Sequence, residues 1–582
     1  MNTGSDMERR GLTRWLTTAQ TIVALGIAAT AHAQLTEARI QELIKQAADN
    51  AARSGDRLAT NQTAQTQAAG QARPVVQLTL EDAVKFALDR NLDIAVQRLN
   101  PQVNDISIAS IQSTYHPALT STLATQSTVT PANTTLAGTN LAGTPITAGL
   151  STWNGGIGQN VPWGGGSYSI LLNNNKTTTT SLNTLYNPAY NTNWSATYTQ
   201  PLFRNLRIDS TRRSLQITKV SRDISDVQLR ATITNTLSNV RNAYWDYVYA
   251  VQAVDVAQES VNLANQLVKD NQTRVEVGTM APIDVVQAQS QSATARQNLA
   301  TAVQARDTAE LALKRLLVSG TQDANWSAHL DPVDRPDFSP EPIDVQAAVR
   351  RALSERTDLD IARKNEEQNN VTLKYLNDQM KPQLDVVGTY GLVGLGGAQY
   401  TYPEGTTGIN RVPNGSIPGA FGDALSSLFT TNYPRWTAQL NFSYPLGYSA
   451  QQASVARARV QLNQVQAQVK QIELQVATDV TNAAINVQSG IERVQAAQAA
   501  RELAQKTLEA EQSKFEVGMS TNYNVILTQR DLSTAQINEL QAVLNYRKSL
   551  VELERLQQTT LQNLNVTILS PTPAGTITVA PQ

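Results

Sequence analysis

Cysteine is absent from this 582-residue chain. Disulfides, iron–sulfur clusters, thiolate metal sites and lipid attachment at an N-terminal Cys are therefore excluded. Histidine is nearly absent too. His32, His116 and His329 are far apart in sequence, which argues against a histidine-built metal site. Net charge is −1, so no basic excess exists to neutralise phosphates, and nucleic-acid binding is disfavoured. Aromatics are only 5% of residues against 41% hydrophobic overall, leaving little material for several bulky globular cores. Ala, Gln, Asn, Thr and Ser fill the gap. That mix suits long, mutually packed helices and polar strands.

Long apolar runs are missing as well. The N-terminus reads as a secretory signal over residues 1–33. Arg9, Arg10 and Arg14 supply the positive region, 22–29 the short apolar stretch, and Ala31-His32-Ala33 the cleavage motif. No later segment has 18 consecutive apolar residues, so no transmembrane helix is expected. Export without a helical anchor leaves two options: a soluble periplasmic or external protein, or one that crosses a membrane as β-strands. Residues 34–74 read as an Ala/Gln-rich extension, with one helix over 36–52 and a linker.

What is present is a repeat. Leu80, Ala83, Ala87 and Leu88 recur as Val345, Ala348, Ala352 and Leu353. Leu92-Asp-Ile-Ala recurs at Leu359, and Val275-Glu-Val-Gly as Phe515-Glu-Val-Gly. The first repeat spans 75–330, the second 331–562, and 563–582 form a tail. Each half reads helix, strand, long loop, strand, long helix, tight turn, helix. The long helices carry heptads. Ile233, Val240, Tyr247, Val254, Val261, Val268 and Val275 form one row, and Ala243, Ala250, Ala257 and Ala264 the second. The returning helix repeats this with Ala288, Ala295, Ala302, Ala309 and Leu316. In the second half the rows are Val480, Val487, Val494, Leu508, Phe515 and Val525, Leu532, Tyr546, Leu553. Arg501 and Glu539 interrupt them. A helix over 208–277 would be roughly 100 Å long. It is a rod or one stave of a tube. At Gly278 and Gly518 the pattern stops and restarts, as at helical-hairpin tips; Pro282 suits the first turn of the next helix.

Two segments alternate at period two. Trp194, Ala196, Tyr198 and Leu202 face one way, as do Trp436, Ala438, Leu440, Phe442 and Tyr444; uncharged polar residues face the other. Weaker partners lie at 119–129 and 384–393. Apolar outside, polar inside and about ten residues long is the pattern of a membrane barrel strand. A half-buried sheet in a soluble sandwich shares it. Long polar loops are expected at 131–192 and 394–434. Runs at 157–163 and 168–172 suggest an extra hairpin above or beside the barrel, and the glycines at 164–166 and 394–397 read as turns. Four strands cannot close a barrel, and open edges are not tolerated in lipid. A trimer would supply about 12 strands and as many long helices.

In this order, and twice, the opening helices, the Gln200-Pro201-Leu202 after a strand and the Val-Gly tips resemble the TolC-like outer-membrane efflux protein family (outer membrane factors), over roughly 75–562. The resemblance implies a fold of mixed α and transmembrane β. Long antiparallel helices form a periplasmic tunnel, and four strands per chain contribute to a trimeric barrel. It implies a homotrimer in outer-membrane lipid, serving as the passive exit duct of a tripartite efflux or type I secretion system. A periplasmic adaptor and an inner-membrane pump would dock at the tunnel's lower end, with the tip residues Val277, Gly278, Thr279, Val517, Gly518 and Met519 as adaptor contacts. Pro117, Pro201, Pro382 and Pro445 would mark the barrel–tunnel junction, where the sheet ladder must end. Trp194, Tyr198, Trp436, Leu440, Phe442 and Tyr444 would face lipid. Some members carry two aspartates just after the second tip. The matching positions here are Asn524 and Leu527, and only Asp284 keeps a carboxylate near a tip. A less acidic periplasmic entrance and weak cation selectivity follow.

A trimeric adhesin-like stalk with a barrel anchor is the competing reading. Its strands would usually lie at one chain end, whereas here they are interleaved with helices in both halves. Enzyme signatures, such as Gly-x-Ser-x-Gly, a phosphate loop or His-Glu-x-x-His, are absent, and neither cofactor nor catalytic residue is expected.

Overall fold

A computed structural model describes residues 74–566, except 140–142, 336–337, 341, 406–410 and 448. The expected signal, the 36–52 helix and residues 567–582 lie outside the described residues. Two units are distinguished: Met1–Val76 with Ser319–Asp331, and Gln77–Val318 with Pro332–Gln582. In the first, the His329 amide donates to the Pro74 carbonyl (2.9 Å), and Asp323 caps the one-turn helix Ala324–Ser327. Everything below concerns the second.

Its frame is two helical hairpins. Helices α1 (Ser210–Glu276) and α3 (Ala450–Glu516) have 67 residues each, roughly 100 Å at 1.5 Å per residue. They return as α2 (Pro282–Leu317) and α4 (Asn522–Leu556). The Asp209 carboxylate accepts from the Arg212 amide at the start of α1, and Ser449 and Gln452 form a reciprocal capping box at α3. Heptad residues lie inside: Val240, Tyr247, Val480 and Val487 are buried, as are Ala264, Ala288 and Ala295, whose small side chains let the backbones approach. Lys548 of α4 pairs with Asp246 of α1 (2.9 Å), and Arg241 of α1 with Glu554 of α4, joining the hairpins side by side.

The repeat extends to the short helices. Leu80–Arg90 and Val345–Glu355 have 11 residues each, capped by Thr79 and Asp344. The buried Ala348 and Ala352 of the latter pack against Val476, Val480 and Val487. Then the halves part. The second continues as one 23-residue helix, Thr357–Gln379. The first breaks into Leu92–Gln97 and Asn100–Ser113, where Asn91 caps the first piece and Pro101 sits in the first turn of the second.

Six long antiparallel strands form one sheet: β1 (Ala118–Pro131), β2 (Pro145–Asn160), β3 (Ser167–Thr179), β4 (Tyr186–Pro201), β5 (Gln383–Thr401) and β6 (Pro434–Ser443). They lie in that order, with the three-residue strand Gly415–Ile417 beside the far end of β5. The expectation of four strands per chain is therefore corrected. The expected hairpin over 157–163 and 168–172 is real but far longer, and it is hydrogen-bonded into the sheet between β1 and β4. The supposed loop 131–192 is mostly strand. Its Asn173-Asn-Asn175 and the glycines 149, 155, 156 and 158 dilute the apolar alternation that marks a strand. Val161–Gly166 make the turn, closed by the Val161 amide on the Gly166 carbonyl (2.8 Å).

The glycines at 394–397 are not a turn. They lie within β5, where the nine-residue helix Phe421–Phe429 rests on the strand at Gly394 and Gly396. A Cβ on Gly394 would stand 2.1 Å from the Ala424 carbonyl oxygen, and one on Gly396 2.4 Å from the Ala424 amide.

Candidate functional site

Two regions concentrate the expected functional residues: the faces of the sheet and the hairpin tips. Directly paired residues of antiparallel strands share a face. One row crosses all six strands: Leu119, Ile157, Ile170, Ala196, Tyr390, Trp436. The same face carries Trp194, Tyr198, Leu440 and Phe442, with Trp194 edge-on to Tyr390 at 5.8 Å. Tyr444 follows the end of β6. The opposite face is mainly polar, with Asp385 and Arg435 as its charged members on β5 and β6. Asn173 bonds to Asn193 (3.2 Å), Asn191 to Asn175 (3.1 Å), and the Thr197 and Thr389 hydroxyls lie 3.1 Å apart. Pro117 and Pro382 precede β1 and β5, Pro201 ends β4, and Pro445 follows β6; all four lie where strand and helix meet.

Helix Phe421–Phe429 was not foreseen. It covers the apolar face beyond the aromatic row, where Phe421 meets Trp153 (5.4 Å) and Tyr190 (6.1 Å) in edge-on contacts. The signal was present as Phe421, Ala424, Leu425 and Leu428, one helical stripe within a loop-like stretch.

At the tips the two hairpins end alike. Val277 and Val517 cap α1 and α3, and Gly278 (φ +79°) and Gly518 (φ +80°) take the left-handed residue that reverses the chain. The Thr279 amide reaches back to the Arg274 carbonyl (2.9 Å), and the Met519 amide to Lys514 (2.8 Å). Val277, Val517 and Met519 are exposed, Met519 to 79%. Asp284 and Asn524 lie partly buried in the first turns of α2 and α4, and Leu527 is exposed on α4. Asp284 is not the only carboxylate here. Glu276 and Glu516, the last residues of α1 and α3, are also exposed at the tips.

The residues that tie the tips together are ones the sequence reading did not single out. Asn271 is fully buried and Asn522 is 3% exposed. Asn271 Nδ2 donates to Asn522 Oδ1 (2.8 Å), and Asn522 Nδ2 donates to the Asp284 carbonyl (3.2 Å). Asn271 Oδ1 has no hydrogen-bond partner among the described residues. Around them Leu267, Ala288, Phe515 and Val525 make a small apolar cluster. Arg274 of the first hairpin lies over the Phe515 ring of the second (4.4 Å) and donates to its carbonyl (3.1 Å). Asn271 continues the row of Ala243, Ala250, Ala257 and Ala264. A polar residue in an otherwise apolar row was the available signal.

Residues 164–318 and 348–557 match the model of the outer membrane efflux protein family. The chain belongs to that family. This outer membrane efflux protein is accordingly an outer-membrane protein with a periplasmic part. Solved channels share its fold. CmeC of Campylobacter jejuni aligns with a TM-score of 0.58 at 13% identity, over 84% of this chain and 88% of that one. VceC of Vibrio cholerae gives 0.55 at 13%, over 82% and 95%. MtrE of Neisseria gonorrhoeae, in an open state, gives 0.56 at 16%, over 82% and 88%. No curated protein sequence matches this chain.

Proposed function

We propose that the protein is the passive exit duct of a tripartite efflux or type I secretion machine, assembled from three copies. One observation carries this: a sheet with two open edges, β1 and β6, that is apolar on one face and mainly polar on the other. Lipid offers no hydrogen bonds, so those edges must be paired by further copies. The apolar face then meets lipid, and the Asn/Thr face lines a wet lumen. Continuity from β4 into α1 and from β6 into α3 carries that lumen into the helical portion.

A second surface supports assembly. Leu92, Val96, Leu99, Val103 and Ile106 are exposed at spacings of four and three along the helices 92–113. Such a stripe is the face a neighbouring copy would cover. The exposed Val277, Val517 and Met519 suit docking of the periplasmic adaptor, and the pump behind it would supply the energy. Choice of cargo would rest on size and lumen polarity, with no bond chemistry in the duct. The adhesin-like alternative would gather its strands at one chain end, whereas here strands alternate with long helices in both halves.

The test is direct. Membrane extracts should yield a trimer that resists dissociation, and the purified trimer should conduct ions in planar bilayers. A monomer with no affinity for bilayers would overturn the proposal.

A further inference from the structure

We infer that the outer-membrane wall of this duct has eighteen strands, six from each of three copies, rather than twelve. The β2–β3 hairpin would be a full part of that wall. The inference rests on the trimeric reading above and sharpens it.

Three observations place the hairpin in the wall. Its apolar residues stand at the same level as those of the other strands. Ile157 is paired with Leu119 and Ile170, and Ile170 with Ala196, so the row that would meet lipid runs through the hairpin without a break. Tyr168 and Leu172 likewise stand opposite Tyr198 and Trp194. A hairpin held above the membrane would leave this row in water, at about 25 cal/mol for each Å² exposed. Next, the hairpin reaches the helix end of the sheet and is fixed there. Gln200 donates to the Gly164 carbonyl (2.9 Å), and a Cβ on Gly165 would lie 2.3 Å from the Asn205 carbonyl oxygen, beside the strand-to-helix junction. Finally, parity is kept. β1 leaves the helices and β6 returns to them, so β6 of one copy and β1 of the next run antiparallel. The added strands come as a pair, and closure is still possible.

The consequence is a wider mouth. Barrel diameter grows roughly linearly with strand number, so eighteen strands give a barrel about half again as wide as twelve. Barrels of 16–18 strands leave an open aqueous channel. The hairpin also lines that channel with Ser169, Asn173 and Asn175, uncharged donors and acceptors that favour neither anions nor cations. The hairpin thus widens the mouth without adding a charge to its inner face.

The chain has no cysteine, so single-cysteine labelling is clean. Full-length protein carrying Ile170→Cys, Ser169→Cys or Leu440→Cys would be labelled with an environment-sensitive fluorophore and placed in vesicles of chain-brominated lipid. The label at 170 should be quenched as strongly as that at 440, and the label at 169 should not. Quenching at 440 without quenching at 170 would overturn the eighteen-strand wall and leave the trimeric duct standing. Quenching at neither would overturn both. Images of the unmodified trimer viewed down its axis give a second reading. A wall about half again as wide as a twelve-stranded one supports the inference. A twelve-stranded width refutes it.

Discussion

The two halves of the repeat agree closely below and differ above. Their long helices are equal at 67 residues, their return helices differ by one (36 and 35), and both tips reverse at a glycine. Their shares of the sheet are unequal: four long strands from the first half, two from the second with a covering helix. A helix packed on its neighbours over roughly 100 Å cannot change length or phase without unseating every layer. A sheet is more forgiving. A hairpin added between two strands restores the ladder on both sides, provided its side chains keep the inside–outside alternation.

The largest expected effect tests the agreement. Val240 and Val480 are both fully buried at equivalent positions. Val240→Asp and Val480→Asp should each cost about 4 kcal/mol or more by burying an unpaired charge. Recovery of assembled protein should collapse equally in both. A mild effect in one half alone would show that the halves are not energetically equivalent.

Next comes the difference in the sheet. Gly396→Val pushes a side chain into the backbone of helix Phe421–Phe429 and should destabilise that region by about 1–3 kcal/mol. Limited proteolysis should then cut near residues 421–429. Gly155→Val, in the added hairpin, meets nothing within 4 Å and should leave the pattern unchanged.

A smaller effect separates the tips. Asn271 has Glu511 as its counterpart, so the Asn271–Asn522 bond exists only once per chain. Asn271→Ala should leave the Asn522 amide partly unpaired, at about 1–3 kcal/mol. If that bond holds the tips together, open time in planar bilayers should rise on the order of tenfold. An unchanged open time would confine the pair to a packing role.

The smallest concerns pH. Burial holds the Asp226 carboxyl above its ordinary value of 3.8, against the opposing pull of Arg222 (2.6 Å). The fold therefore binds this proton more tightly than the unfolded chain does. Its contribution is complete below the ordinary value and is lost as pH rises through the raised one. Thermal stability of the wild type should fall slightly across that acid window, while Asp226→Asn should not respond. Arg222 keeps Asp105 as a partner at 3.3 Å in either case.

Legibility followed the strength of the periodic signal. The hairpins were readable because heptads recur along each long helix and glycine marks each reversal. α1 was expected over 208–277 and spans Ser210–Glu276. Strands β4 and β6 were readable through Trp194, Tyr198, Trp436 and Phe442, large residues on alternate positions. Strands β2 and β3 were largely hidden, because glycine and asparagine occupy both faces and carry almost no contrast. Helix Phe421–Phe429 was missed because nine residues make a short stripe within a Gly/Ser-rich stretch. The tips were placed by their glycines. The asparagine pair between them was not, since sequence distance conceals that residues 271 and 522 meet.

Arg501 and Glu539, which break their apolar rows in the second hairpin, form an ion pair with each other at 2.6 Å. Neighbouring layers of valine, leucine and alanine are nearly interchangeable, so alone they would let one helix ratchet along the other by a heptad at little cost. A shift of that size would leave a guanidinium and a carboxylate each facing hydrocarbon. The pair therefore marks a single register of α3 against α4.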